Sequence, residues 1–314
     1  MQPPIPVYLA RSTTYDAVFE RVHRLLDAVA MPISPGARVL VKPNFLRADM
    51  LSCTHASVIA AACRYLRDKG CVVTIGDSPG FGTVAGVGRH IGLHDALAEV
   101  GCSNTPLITL DSPQFRPLSL GGRIGLSRYA LEADCIVSIP KLKAHSQMRV
   151  TCGVKNLFGC VAGIHKALLH ARHGDKEKEG IAVFPSLVVD IMAHLPPVTT
   201  LLDGVTAMHV TGPSGGRPYN GGLLAASVSP VALDTVIYSM LGVLPGDVPV
   251  WRELQRRNIP GALQQEVQAL GEPMESFDLS AFMLPFVLKP ETFNPVRLMI
   301  STLRRLWARF VTVR

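Results

Sequence analysis

Short apolar runs alternate with longer segments of helical periodicity along this chain, and that alternation limits the fold more than any other feature of the sequence. The run 133–140 is apolar on both faces, as expected for a strand covered by helices on both sides of a parallel sheet. The segment 14–30 follows Ser/Thr caps and carries apolar residues at helical spacing, at Val18, Val22, Leu25, Leu26 and Val29. Strands alternating with helices predict an α/β fold with a mostly parallel sheet and flanking helices.

Three segments have local signals that predict structure outside this simple alternation. Pro140 ends the buried run 133–140, which predicts a loop at 141–145. The segment 211–222 is too rich in glycine for a helix or a central strand, so it predicts a lid or a second anion-binding loop that includes Gly215 and Gly216. Residues 261–270 predict a weak helix.

The end of the chain differs in composition from the rest. After Glu291 there is no acidic residue, and 294–314 has an amphipathic pattern with arginines on one helical face and aliphatic and aromatic residues on the other. We therefore assign 1–275 to an α/β domain, either single or divided into two lobes near 140–150. Residues 276–314 form a C-terminal extension whose basic amphipathic helix docks either on the domain itself or on an anionic membrane surface.

Composition restricts the classes of partner. The 314 residues are 48% hydrophobic, enough for a full core, and the net charge of +7 favours acidic small molecules, anionic lipid or nucleic acid. Aromatic residues make up only 6% and are not interleaved with a basic tract, so we expect no nucleic acid partner. The N-terminus lacks a signal-peptide pattern, and no apolar run reaches the ~18 residues of a membrane span. We expect a cytoplasmic protein, with the peripheral membrane as the alternative location.

The segment 139–175 concentrates cations and imidazoles. It contains no acidic residue before Asp175, and Gly153, Gly159 and Gly163 permit close approach of backbone to a ligand. This composition indicates a site for an anion, a metal, or both. The cationic and imidazole side chains are Lys141, Lys143, His145, Arg149, Lys155, His165, Lys166, His170, Arg172 and His173.

Polar side chains also follow several predicted strands where each strand ends. Because ligands of open parallel sheets bind beyond the carboxyl ends of the strands, we expect these side chains to converge in one crevice. They are Lys42, Asn44, Asp77, Lys141, Lys143 and His145.

A glycine-rich loop follows the predicted strand 71–75. A strand, a glycine-rich turn and a helix N-terminus bind anions through backbone N–H groups, which makes Gly76, Ser78 and Gly80 candidate anion ligands. The spacing matches neither the dinucleotide fingerprint nor the P-loop. Asp77 in this loop is either a site residue or a local turn and helix cap.

The cysteines do not form a recognisable framework. Their number is seven and their spacing is irregular, without a Cys-x-x-Cys pair, which argues against disulfides, a ferredoxin-type cluster and structural zinc. Cys135 lies in an apolar strand and is expected in the core. Cys152 and Cys160 flank Lys155 and are candidate metal ligands.

Eight short motifs resemble the family called domain of unknown function 362, across roughly residues 38–245. Many members of that family carry a C-terminal ferredoxin module, so the resemblance implies an association with iron–sulphur clusters. This chain lacks the clustered cysteines of such a module. The motifs are Val-Lys-Pro-Asn-Phe (41–45), Thr-His (54–55), Ile-Gly-Asp-Ser-Pro-Gly (75–80), Pro-Lys-Leu-Lys-Ala-His (140–145), Gly-Val-Lys-Asn-Leu-Phe-Gly (153–159), Leu-Asp-Gly-Val (202–205), Gly-Pro-Ser-Gly-Gly (212–216) and Ser-Pro-Val-Ala-Leu-Asp (229–234).

The order of His145, Lys155 and a later histidine is also similar to the nickel-dependent lactate racemase family. That similarity implies Lys155 as the tether of a pyridinium-derived nickel cofactor, His145 as an acid/base, and His170 or His173 as a metal ligand. The alternative is that Lys155 and Asn156 have structural roles and the histidines bind nothing.

Taken together, the sequence predicts a cationic, histidine-rich crevice that binds a small anionic substrate or a metal-containing cofactor. Redox or proton-transfer chemistry would make the protein an oxidoreductase or isomerase, with His145, Lys155 and Asp77 as catalytic residues and Asn156 among the binding residues. One alternative is a non-catalytic protein that handles nickel, iron or an iron–sulphur cluster shared with a redox partner protein. The other is a protein of the membrane surface.

Overall fold

The computed structural model describes residues 3–163, 177–178 and 180–289. Its strands are β1 (Ile5–Arg11), β2 (Arg38–Pro43), β3 (Val72–Asp77), β4 (Leu107–Thr109), β5 (Pro113–Pro117), β6 (Arg123–Ser127), β7 (Cys135–Ile139), β8 (Lys141–His145), β9 (Arg149–Thr151), β10 (Glu177–Lys178), β11 (Ile181–Ala182), β12 (Val198–His209), β13 (Arg217–Ser227) and β14 (Val267–Gly271). Its α-helices are α1 (Val18–Val29), α2 (Ala56–Asp68), α3 (Val84–His90), α4 (Leu93–Glu99), α5 (Arg128–Leu131), α6 (Gly153–Asn156), α7 (Val183–His194), α8 (Pro230–Met240) and α9 (Pro249–Arg256).

Within the described residues, ten strands form one sheet in the order β14-β1-β13-β12-β7-β2-β3-β4, with β8 paired to β12 and β9 paired to β8. The neighbours from β12 through β7, β2 and β3 to β4 are parallel, as are β1 and β14. Strand β13 is antiparallel to both β12 and β1. The predicted α/β fold with a largely parallel sheet is confirmed.

Helices cover both faces of the sheet. In β2, Val39 and Val41 belong to a buried cluster with apolar residues of α1 to α4, whereas Leu40 between them belongs to a cluster with residues of α7 and α9. Successive side chains of a strand point to opposite faces, so a strand buried on both sides needs apolar residues at every position. This explains the continuous apolar runs of the central strands.

The prediction of a loop at 141–145 is wrong, because these residues form the strand β8. The long strand β12 pairs first with β7, at Val198–Thr200, and later with β8, where Asp203 is opposite Lys141. Pro140 separates β7 from β8, and its carbonyl oxygen accepts a hydrogen bond from Asp203 N at 2.9 Å. Proline therefore ends the pairing with β2 without ending the pairing with β12.

Two other local predictions are also wrong. Residues 217–222 of the predicted glycine-rich loop lie in β13, where Gly221 is needed because a Cβ atom would collide with the Gly204 carbonyl oxygen. Residues 261–270 form a short 3-10 turn followed by β14, which pairs with β1. In both segments a sheet partner distant in sequence decides the structure over local propensity.

The described part of the C-terminal extension packs on the α/β body. Phe277, Leu279 and Phe282 are buried in a cluster with residues of β1 and α8. Val210 N donates to Met283 O at 2.8 Å, which continues this contact. The predicted helix at 294–314 lies outside the described residues. Within the described part of the chain, no helix has the length and apolar character required to span a bilayer.

A carboxylate on α8 holds the short helix α6 in place. Asp234 is fully buried, and its Oδ1 and Oδ2 accept hydrogen bonds from Gly153 N at 2.6 Å and Val154 N at 3.1 Å. Tyr238 OH donates to the same carboxylate at 3.2 Å. Burial raises the pKa of Asp234 to about 6 despite these hydrogen bonds. The position of α6 therefore depends on a charge that is unfavourable to bury.

We expect Asp234→Asn to change the pH dependence of stability. The folded pKa of about 6 lies above the ordinary 3.8, so the folded state binds more protons between these values and the stability contribution is lost as pH rises. Relative to Asp234→Asn, the unaltered protein should lose about 2 kcal/mol of unfolding free energy between about pH 4 and about pH 7. Urea unfolding of both proteins across this range measures the difference, and parallel curves would contradict it.

Candidate functional site

Three lysine side chains are buried near the carboxyl ends of β2 and β7, one from β2 and two from β8. Lys42, Lys141 and Lys143 are each at most 2% exposed. A buried ammonium group is costly unless it is paired and hydrogen-bonded. The partners of the three lysines therefore determine what this edge of the sheet can do.

Lys42 forms an ion pair with the carboxylate that ends β3. Its Nζ lies 3.0 Å from Asp77 Oδ1. Backbone N–H groups of Phe45 and Ser78 donate to the same carboxylate, each at 2.7 Å. A Cβ atom on Gly159 would collide with both Lys42 and Asp77, so only glycine fits there. The pair is thus enclosed by backbone from three segments of the chain.

The glycine-rich loop after β3 differs from the sequence interpretation in its details. Gly76 lies within β3, where neighbouring leucine side chains leave no room for a Cβ atom, and Gly80 packs against Leu46. Thr83 caps α3 through its side-chain oxygen, so Asp77 is not the helix cap. The loop places Asp77 against Lys42.

Lys141 pairs with Asp203 of β12. Its Nζ lies 2.9 Å from Asp203 Oδ2 and 2.8 Å from the Tyr15 hydroxyl oxygen, which itself donates to Asp203 Oδ1 at 2.9 Å. His55 N donates to Asp203, and the His55 ring stacks on Tyr15 with centroids 3.5 Å apart. Burial and the Asp203 charge raise the pKa of Tyr15 well above its usual range. The phenol therefore stays protonated.

Lys143 has a different environment. Its Nζ donates to Asn44 Oδ1 and to the Ser52 carbonyl oxygen, both at 2.8 Å, and among the described residues no carboxylate forms an ion pair with it. Burial, with the nearby Lys141 charge, lowers the pKa of Lys143 to about 8. A neutral amine has two N–H groups, which these two acceptors satisfy, whereas an ammonium group has a third.

Asn156 connects the environments of Lys42 and Lys143. Its Oδ1 accepts from Asn44 Nδ2 at 2.9 Å and from Lys42 Nζ at 3.4 Å, and its Nδ2 donates to Ser138 Oγ at 2.9 Å. Helix α6 carries Asn156 and is itself held by Asp234. Asn156, which the sequence predicts as a site residue, therefore lies in a buried polar network.

His145 and Lys155 occupy different surroundings. His145 Nδ1 accepts backbone hydrogen bonds from Gln147 N at 3.1 Å and Met148 N at 3.2 Å, within the turn that follows β8. Lys155 is half-buried, with its Nζ over the ring of Phe158 at 4.7 Å from the centroid. Such a contact stabilises a cation. A catalytic role for either residue stays a prediction.

The described residues do not supply a metal centre by themselves. Among residues 3–163, 177–178 and 180–289, no group of three or more His, Cys, Asp or Glu side chains is arranged to hold a metal ion. Cys152 and Cys160 are both fully buried, and burial together with Asp234 raises the pKa of the Cys152 thiol. His170 and His173 lie outside the described residues. Binding of nickel, iron or a shared iron–sulphur cluster therefore stays a prediction.

The hairpin that joins β12 to β13 lies beside the end of β8. A Cβ atom on Gly212 would collide with the Ala144 carbonyl oxygen, and Ser146 N donates to Gly212 O at 2.9 Å. Gly215 and Gly216 belong to this hairpin, where Gly215 has a positive φ of 77°. The predicted role of these two glycines in anion binding is untested.

Sequence reasoning missed three residues of the polar network. Tyr15 precedes α1 and has no local signal, because its partner Asp203 is 188 positions away. His55 lies in the Thr-His motif, and its side chain caps α2 by accepting from Ser57 N at 3.3 Å. Asp203 can be recognised in the sequence as a carboxylate that precedes Gly204 in a predicted strand. Only the strand order shows that it is opposite Lys141.

Comparison with known proteins gives a family match and one close relative in sequence. Residues 39–239 match the model of a family described as a domain of unknown function, DUF362. A thylakoid-associated protein of Synechocystis sp. (strain ATCC 27184 / PCC 6803 / Kazusa) is 32% identical over 314 residues, which cover 97% of this chain and 95% of the relative.

Two solved structures show a weaker likeness. The lactate racemase apoprotein from Thermoanaerobacterium thermosaccharolyticum has a TM-score of 0.45 at 14% identity, over 74% of this chain and 56% of the racemase. A protein from Thermotoga maritima has a TM-score of 0.40 at 11% identity, over 64% of this chain and 53% of that protein. This chain therefore spans about half the length of each structure.

We expect Lys143→Met to remove a specific pH dependence of stability. Because the folded pKa of about 8 lies below the ordinary 10.5, stability is lost as pH falls through 8 and regained as pH rises towards 10.5. Relative to Lys143→Met, the unaltered protein should gain about 2 kcal/mol of unfolding free energy between about pH 7 and about pH 9.5. Lys69→Met, which removes an exposed lysine at the end of α2, should give curves parallel to the unaltered protein. Parallel curves for Lys143→Met would contradict the expectation.

Proposed function

The chain belongs to the DUF362 family, and on that premise we propose that it binds a small anionic substrate where β2, β3 and β7 end and exchanges a proton with it through Lys143 of β8. The observation that carries this proposal is the environment of Lys143, a buried lysine whose described hydrogen-bond acceptors are both neutral. The resemblance to this family inferred from the sequence motifs is confirmed.

The charges of the cluster favour an anion at Lys143. The carboxylates of Asp77 and Asp203 balance Lys42 and Lys141. When Lys143 is protonated, the cluster has one more positive charge than these pairs neutralise. Attraction between charges is stronger in a buried environment than in water, so an anionic group placed beside Lys143 Nζ would be strongly favoured.

The same lysine is suited to proton exchange. Its lowered pKa of about 8 lies close to neutral pH, where a group is most effective as both acid and base. Asn44 and the Ser52 carbonyl hold the amine in one position, and the lone pair of the neutral form is then available to a bound substrate. Small carboxylates and phosphates are the substrate classes that this site favours.

Access to Lys143 depends on the loop 46–52. Ser52 O covers the amine from this loop, whereas Arg47 and Met50 are exposed at its outer side. Asn44 is only half-buried. Ligand entry in this proposal requires the loop to move. The anion then replaces either Asn44 Oδ1 or the Ser52 carbonyl oxygen as a hydrogen-bond partner of Lys143.

We expect at least one of acetate, lactate and inorganic phosphate to raise the melting temperature of the protein, compared with sodium chloride at equal ionic strength. A ligand at a hundredfold excess over its Kd stabilises a protein by about 3 kcal/mol. Lys143→Met should abolish this stabilisation, and Lys69→Met should retain it. Affinity should fall as pH rises through about 8, because Lys143 then loses its charge.

Proton exchange has a separate readout. Exchange of a C–H proton of acetate or lactate for deuterium from D2O, followed by NMR, should occur with the unaltered protein and stop with Lys143→Met. If the anion binds but no deuterium is incorporated, the anion site is supported and the proposed proton exchange is refuted. Stabilisation that persists in Lys143→Met would refute the site itself.

A second candidate function is peripheral association with an anionic membrane surface. The relative that is 32% identical over 97% of this chain is described as thylakoid-associated, which names a membrane system. In the sequence of 294–314, arginines and large apolar residues alternate at helical spacing, and acidic residues are absent. Such segments bind anionic lipid through both charge and apolar area.

We expect the full-length protein to bind vesicles of phosphatidylcholine mixed with phosphatidylglycerol, and to bind more weakly as salt increases. Replacing Arg304, Arg305 and Arg309 with Gln together should weaken binding by about a hundredfold, since each basic residue near such a surface contributes about 1 kcal/mol. Vesicle sedimentation over a range of salt concentrations measures both effects. Equal binding of the triple variant would contradict the role of this segment.

A further inference from the structure

Residues 283–289, which we call the strap, cross the protein surface beside the turn that follows β8. The strap exposes large apolar side chains, with Met283 51%, Val287 63% and Phe286 91% accessible to solvent. Exposed single apolar residues are common in proteins, but a contiguous group of them marks an interaction site.

Hydrogen bonds to the α/β body hold the strap at both ends and in the middle. Val210 N donates to Met283 O at 2.8 Å, and Lys289 N donates to Ser146 O at 2.9 Å. Between them, Arg149 Nη1 donates to Pro285 O at 3.0 Å. The strap is therefore fixed in a conformation that presents Phe286 outward.

A second segment contributes an exposed apolar residue near the same arginine. Arg149 Nε donates to Asp247 O at 2.7 Å, in the turn that begins at Leu244. Leu244 is 69% exposed, and its backbone N donates to the Asp247 carboxylate at 3.2 Å. Arg149 thus ties together two segments that each carry exposed apolar side chains.

The chain beyond the strap indicates which partner fits this surface. The 25 residues 290–314 begin directly after Lys289 and contain one acidic residue, Glu291, and five arginines. The remaining residues are largely apolar, with Trp307 and two phenylalanines among them. Apolar side chains next to a basic segment are complementary to a bilayer that has anionic headgroups above an apolar interior.

We propose that the strap inserts Phe286 and Val287 into the surface of an anionic bilayer, as a second lipid contact besides 294–314. This inference rests on the membrane-association candidate above and deepens it. Because Ser146, in the turn after β8, and Arg149, the first residue of β9, both hold the strap, docking fixes the orientation of the body. Strand β8, which carries Lys143, then ends on the membrane-proximal side.

Insertion of the strap is tested by binding of full-length variants to vesicles of phosphatidylcholine mixed with phosphatidylglycerol. We expect Phe286→Ser to weaken binding about tenfold at every salt concentration, because burying a Phe side chain is worth at least the ~1.4 kcal/mol that changes an equilibrium constant tenfold. Phe115→Ser is the matched control, since Phe115 is also exposed but lies on the separate β5–β6 hairpin. This control should bind like the unaltered protein.

A fluorescent probe reports insertion directly. In a Trp307→Phe background, where Trp251 is fully buried, Phe286→Trp adds one exposed indole. Its emission should shift to the blue on vesicle addition, and brominated lipids should quench it. An unshifted, unquenched emission while the protein is bound would overturn the inference.

The two lipid contacts fail in distinguishable ways. If Phe286→Ser binds normally and the triple arginine variant does not, only 294–314 contacts lipid, so the strap inference is refuted and membrane association stands. If the unaltered protein itself does not sediment with the vesicles, both are refuted. The strap is supported as a separate apolar contact if Phe286→Ser and the triple arginine variant both bind vesicles more weakly. In that case only the arginine variant should change the dependence of binding on salt.

Discussion

Burying a lysine ammonium group costs several kcal/mol unless another group compensates it, and this protein buries three of them at one edge of its sheet. The compensation for Lys42 and Lys141 comes from carboxylates on other strands, Asp77 and Asp203. The parallel order of the strands is what places each carboxylate beside its lysine. Lys143 lacks such a partner within the described chain, so burial lowers its pKa and its charge is a liability for stability.

The general position of the site follows from the sequence, because parallel sheets gather the carboxyl ends of their strands at one edge. That rule correctly brings Lys42, Asp77 and Lys143 together. The pairing of Lys141 with Asp203 and Tyr15 was not predictable, since it depends on the register of β12 and on a residue near the N-terminus. Tyr15 has no local pattern that distinguishes it from a surface tyrosine.

Errors in the predicted elements have a common physical origin. Pro140 is a valid signal that a strand ends, but it ends only the pairing with β2, and β12 continues along β8. Glycines usually indicate loops, yet Gly221 lies in β13 because the Gly204 carbonyl oxygen approaches too closely for any side chain. Tertiary contacts between segments distant in sequence decided both cases, and such contacts are not visible in a local window.

The position of β1 in the sheet has a consequence for synthesis of the chain. In the described structure β1 pairs with β13 and β14, where Tyr8 is opposite Ala226 and Ile5 is opposite Val267. At about 5–20 residues per second, the ribosome needs roughly 10–50 s to supply those partners after β1 is made. During that interval β1 is an unpaired apolar strand, which is the kind of segment that associates with other chains. Chaperone dependence of the newly made protein should therefore be decided at its first strand.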